Sequence, residues 1–90
     1  MLYDICLCAG AYNKQNPIDV PDLPDEFADD GTTISIEASS FEEAQQFARE
    51  QIAAKYRARG YSVSISDRSG AVDIDVDDEI GVEFYGFYEP

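Results

Sequence analysis

The chain contains no histidine, so the side chain that most often serves as a general base near neutral pH is missing. Cysteine is scarce as well, with Cys6 and Cys8 only. On a strand the two would share one face roughly 6.7 Å apart, too far for a relaxed disulfide. With no histidine and no third cysteine, a closed zinc site would have to recruit carboxylates, an unusual set. The six glycines are scattered, which excludes a glycine-rich phosphate loop. No basic leader opens the chain and no long apolar run occurs in it, so neither a signal peptide nor a membrane span is expected. Two cysteines without a leader are expected as reduced, buried thiols in a cytoplasm. Basic residues are the last scarcity. Six of them, including only two lysines, stand against nineteen acids, for a formal net charge of −13. That balance argues against direct binding to nucleic acid or to an anionic membrane. It points to a basic partner, a cation, or a high-salt solvent.

What remains is enough for one domain spanning residues 1–90, since 44% of the residues are hydrophobic and a core can form. The stretch from Ser39 to Gly60, SSFEEAQQFAREQIAAKYRARG, predicts a helix. Ser40 is a ready N-cap, and Glu43 can complete a capping box. Ala44, Phe47, Ala48, Ile52 and Tyr56 recur at three- and four-residue steps and predict one buried stripe. Glu42 and Glu43 suit the positive end of the helix dipole, and Lys55, Arg57 and Arg59 the negative end. Gly60 can take the left-handed conformation that closes the helix.

Strands surround it. Residues 2–8 read as an interior strand with Tyr3, Ile5 and Leu7 on one face and Leu2, Cys6 and Cys8 on the other. Residues 10–31 read as a long acidic loop, interrupted by Pro17, Pro21 and Pro24. Ile18, Val20, Leu23 and Phe27 are its candidate anchors. Residues 32–38, 61–66 and 71–77 alternate cleanly, with Ile34, Ile36 and Ala38, then Tyr61, Val63 and Ile65, then Val72, Ile74 and Val76 facing inward. Residues 80–88 form a last strand, in which Phe84 and Tyr88 would share one face, Tyr85 and Phe87 the other. The order β-β-α-β-β-β predicts an α+β, two-layer fold, with one helix on an antiparallel sheet of about five strands and a final three-stranded meander.

Chemistry is harder to find. Carboxylate pairs abound, but hydrolysis needs them on opposed cleft walls, so no catalytic residue is assigned and no enzyme is expected. Asp73-x-Asp75-x-Asp77 copies the first three ligand positions of an EF-hand loop. The copy then fails, with Asp78 where glycine is needed and Phe84 where a bidentate glutamate is needed. No metal or cofactor is expected. The acids themselves are the feature. Asp19, Asp22, Asp25, Glu26, Asp29 and Asp30 form one group, and Asp73, Asp75, Asp77, Asp78, Glu79 and Glu83 another. Residues 18–30 and 69–90 together hold thirteen of the nineteen acids, whereas five of the six bases lie in the helix and at Arg68. Along a strand, Asp73, Asp75 and Asp77 would form a ladder at roughly 6.7 Å spacing. Two such exposed charges repel by only about 0.6 kcal/mol in water. A solvated sheet face therefore accounts for the ladder as readily as a row of phosphate mimics does.

The acid pattern, DIDVDDE with PDLPDEFADDG in a chain of ninety residues, resembles the small acidic phage-encoded anti-CRISPR and anti-restriction proteins. The likeness lies in charge, size and element order, and no motif or functional residue transfers. It implies a non-enzymatic DNA mimic in the host cytoplasm, occupying the nucleic-acid-binding surface of a CRISPR effector complex or nuclease. The two acid groups above, chosen by charge geometry, are the expected partner contacts. An antitoxin or immunity protein plugging a basic toxin nuclease is the alternative, and a halophile-type acidic domain the third.

Overall fold

The computed structural model describes residues 1–28 and 33–90. In chain order it contains β1 (Leu2–Asn13), α1 (Asp25–Ala28), β2 (Thr33–Glu37), α2 (Phe41–Ala58), β3 (Ser62–Ile65), β4 (Val72–Asp75) and β5 (Ile80–Tyr88). The strands form a single antiparallel sheet in the order β2-β1-β5-β4-β3, with α2 on one face. The α+β, two-layer expectation and the final meander both hold. No helix among the described residues is long and apolar enough to cross a membrane.

Local chemistry sets the limits of α2. The Glu43 amide donates to Ser40 Oγ at 3.2 Å, while the Glu43 carboxylate accepts from the Ser39 amide at 3.1 Å. At the other end the Tyr61 amide donates to the Tyr56 carbonyl and the Gly60 amide to the Arg57 carbonyl. Gly60 has a φ of 97°, so the helix closes in a Schellman motif. Its buried residues are Ala44, Ala48, Ile52, Ala53 and Tyr56. Phe47 is the correction, since it is 41% exposed. At 3.6 residues per turn it lies about 140° around the helix from Ile52, outside the stripe. The three alanines let the helix lie close to the sheet, and Tyr56 fills the far end, stacked on Phe84 at 5.7 Å.

β1 runs five residues beyond the expected strand, to Asn13, because β5 pairs with it from Cys6↔Tyr88 to Asn13↔Ile80. The core face carries Ile5, Leu7, Val72, Ile74, Val82, Phe84 and Phe87, all buried. Both cysteines are reduced and half-buried on the other face, not buried as expected. Phe27 fills the core under the end of α2, with its ring 4.9 Å from Tyr56 and 5.6 Å from Tyr61. Leu23 also packs on the core. Ile18 and Val20, the other two expected anchors, are exposed.

One irregularity in β5 reverses an expected alternation. Between Cys6↔Tyr88 and Cys8↔Tyr85 the register shifts by one residue, which makes a bulge. Gly86 and Phe87 there have φ of 98° and 47°. A phenylalanine in this region is strained by about 1–2 kcal/mol, and burial of its ring offsets the cost. Gln45 Nε2 donates to the Phe87 carbonyl at 2.6 Å, and the Arg49 guanidinium lies 5.2 Å from the ring. As a result Phe84 and Phe87 both point into the core, while Tyr85 and Tyr88 both lie exposed on the opposite, helix-free face.

Candidate functional site

Four strand ends meet at one end of the sheet, as the pairs Asn13↔Ile80, Asp75↔Gly81 and Ser62↔Asp75 require. They span roughly 14 Å at the usual strand spacing. The β4–β5 turn carries Asp77, Asp78 and Glu79 there. Residues following β1 pack against it: the Lys14 amide donates to the Glu79 carbonyl at 2.8 Å and Lys14 Nζ to the Asp77 carbonyl at 2.6 Å. Asn13 in turn reaches the Asp19 carboxylate at 3.3 Å. Beside the start of β3, the Tyr61 hydroxyl donates to the Glu26 carboxylate and Arg59 lies 3.9 Å from it. Asp22 and Asp25 lie on the chain between these two attachments. The two acidic segments, some fifty residues apart in sequence, therefore share one end of the molecule. Asp29 and Asp30 lie outside the described residues.

Individual acids play different parts. Asp73 and Asp75 stand on the helix-free face of β4, as a strand requires. Asp77 breaks the expected ladder, because β4 ends at Asp75 and Asp77 turns back on its own loop. Its carboxylate accepts the amides of Glu79 at 2.8 Å and Ile80 at 2.7 Å. Those amides, Ile80 first, hold its pKa below the ordinary carboxylate value. The stability this adds is present above that value and is lost as pH falls through the lowered one. Asp75 is paired with Lys14. Asp73 accepts the Tyr12 hydroxyl at 2.5 Å, and Tyr12 is seated directly on Gly81, where a Cβ would come within 2.3 Å of the ring. The carboxylates of Asp22, Asp25, Asp78, Glu79 and Glu83 have no hydrogen-bonding or ion-pair partner among the described residues. Sequence reading missed Tyr12 and Lys14, whose partners lie sixty-one residues away. No local signal announces them.

Tyr12, Lys14, Ser62, Ser64, Asp73 and Asp75 line an open recess of about 370 Å³. Burial raises the Tyr12 pKa well above its ordinary value of 10, and the hydrogen bond to Asp73, the Asp73 charge and the Glu83 charge add to the effect. Because the folded pKa is raised, this contribution to stability is complete below pH 10 and is lost as pH rises from there through the folded value. Absorbance titrations of the wild type and Tyr12→Phe should therefore differ by one ionisation that appears above the ordinary tyrosine range. A difference centred near 10 would place the Tyr12 hydroxyl in solvent.

Among the described residues no group of three or more histidine, cysteine, aspartate or glutamate side chains could hold a metal ion. No protein-family model matches the chain, nor does any curated protein or solved structure. Its function has to be read from its own residues.

Proposed function

We propose that this chain is a non-enzymatic acidic inhibitor that occupies a basic nucleic-acid-binding surface of a target protein. It would act as a DNA mimic of the anti-CRISPR type in the cytoplasm of a host cell. The observation that supports this reading is the convergence of the 19–26 and 77–79 acids at one end of the sheet. A basic groove built to hold closely spaced phosphates is attracted to such an end over long range. Asp22, Asp25, Asp78 and Glu79 are the exposed carboxylates best suited to meet arginines or lysines, because no cation or amide among the described residues takes their charge. Asp73, Asp75 and Asp77 suit it less, since Tyr12, Lys14 and two turn amides already hold them.

The test begins with a partner captured from host lysate and titrated by calorimetry at two salt concentrations. Replacing Asp22→Asn, Asp78→Asn and Glu79→Gln together should leave the fold intact, because all three side chains are exposed. Binding should weaken by about 1.5–3 kcal/mol for each charge-assisted bond that is desolvated in the complex. Wild-type affinity should fall with salt, and the target's own DNA or RNA should compete. Affinity equal to wild type in the triple variant would remove the acidic end as the interface. A captured toxin nuclease inhibited at its active site would mark an immunity protein instead.

A further inference from the structure

The helix-free face of the sheet carries a second feature, which the acid count alone does not reveal. Along its centre, β1 presents Cys6, Cys8 and Gly10, and β5 presents Glu83, Tyr85 and Tyr88. The small β1 residues leave the two tyrosine rings standing clear, 45% and 51% exposed. Tyr85 passes 3.9 Å from the position a Cβ would take on Gly10, and Tyr88 3.1 Å from that on Gly86. Beside them Glu83 is half-buried and sits directly across from Asp73 in the β4–β5 register. Like charges directly opposite one another repel. Tyr12 donates to Asp73, while Glu83 has no hydrogen-bonding or ion-pair partner among the described residues. Asp4 lies at the other end of the same stripe, accepting from Ser35 Oγ at 2.7 Å. Two half-exposed tyrosine rings thus stand between carboxylates, and among the described residues no cation lies over either ring.

We infer that this face docks arginine side chains of a basic protein, stacked on Tyr85 and Tyr88 and paired through their guanidinium groups with Glu83 and Asp4. Arginine fits better than lysine because its planar group can stack on a ring while its edge forks onto a carboxylate. Nucleic acid fits worse, since phosphates would meet Asp73 and Glu83. A second copy of the chain would bring the same charges face to face. The inference rests on the proposed basic partner and specifies how that partner is recognised.

Isotope-labelled chain is titrated at low salt with polyarginine and with polylysine peptides of equal length, and amide shifts are followed. Polyarginine should shift Cys6, Cys8, Tyr85 and Tyr88 and bind about tenfold tighter than polylysine, because a guanidinium stacks on the rings and forks onto the carboxylates better than an ammonium does. Tyr85→Leu with Tyr88→Leu keeps apolar cover over Gly10 and Gly86 but removes the π faces. That variant should cut the preference for arginine severalfold, to what the forked carboxylate pairing alone supplies, and should weaken polylysine less than polyarginine. Shifts confined to residues 77–79, with equal affinity for both peptides, would overturn the docking face and leave the acidic end standing. No binding of either peptide would defeat both readings. Shifts on this face from a single-stranded oligonucleotide, or from raising the protein concentration alone, would also overturn it. The first outcome would make the face a base-stacking platform, the second a self-association surface.

Discussion

Phe27→Ala is expected to cost about 3–5 kcal/mol of stability and to release the acidic segment around it. The ring is fully buried between Tyr56 and Tyr61, and removing it leaves a cavity that those rings fill only partly. A four-residue helix such as α1 has no stability of its own, because one turn does not repay its nucleation. What keeps Asp25 and Glu26 in place is therefore chiefly Phe27, with help from the Tyr56 hydroxyl on the Glu26 carbonyl at 3.2 Å and from Tyr61 and Arg59 on the Glu26 carboxylate. For a domain whose total stability is roughly 5–13 kcal/mol at this length, the loss is a large fraction. Urea melts should show a lower midpoint, and amide exchange near residues 25–28 should speed up more than exchange in β1 or β5. A loss under about 1 kcal/mol would mean that Phe27 is not part of the core.

Phe84→Ala should be as damaging, at about 3–5 kcal/mol, while Phe47→Ala should cost under about 1 kcal/mol. The chemistry of the two replacements is identical, and only position differs. Phe84 is fully buried at the centre of the sheet, stacked on Tyr56 and opposite Val72 and Ala9. Phe47 is 41% exposed on the outer side of α2. Parallel urea melts with unchanged m-values give the comparison directly. Equal costs would return Phe47 to the buried stripe and undo the orientation of α2.

The sequence by itself determined the helix limits, the alternating strands and the two-layer α+β fold. Each of these follows from interactions a few residues long. Ser40 and Glu43 cap their own helix, Gly60 ends it, and Val72, Ile74 and their alternating neighbours select a strand. Charge was equally legible, because composition does not depend on conformation. What only the tertiary structure decided is where each group points and what it meets. Ala9, Gly10 and Ala11 carry little strand preference, and β1 continues through them because β5 supplies the hydrogen bonds. Tyr85 and Tyr88, three residues apart, would face opposite ways in a regular strand. The bulge at Gly86 and Phe87 turns them to the same side, and burial of Phe87 holds it there. Strand alternation predicts Asp77 as a third rung of a ladder, but its own turn amides hold it instead. The acidic end itself exists because long-range pairing of β1, β4 and β5, together with Phe27 packed in the core, brings residues 19–26 and 77–79 together. Contacts across fifty or sixty residues are set by how the whole core packs, and no local pattern encodes them.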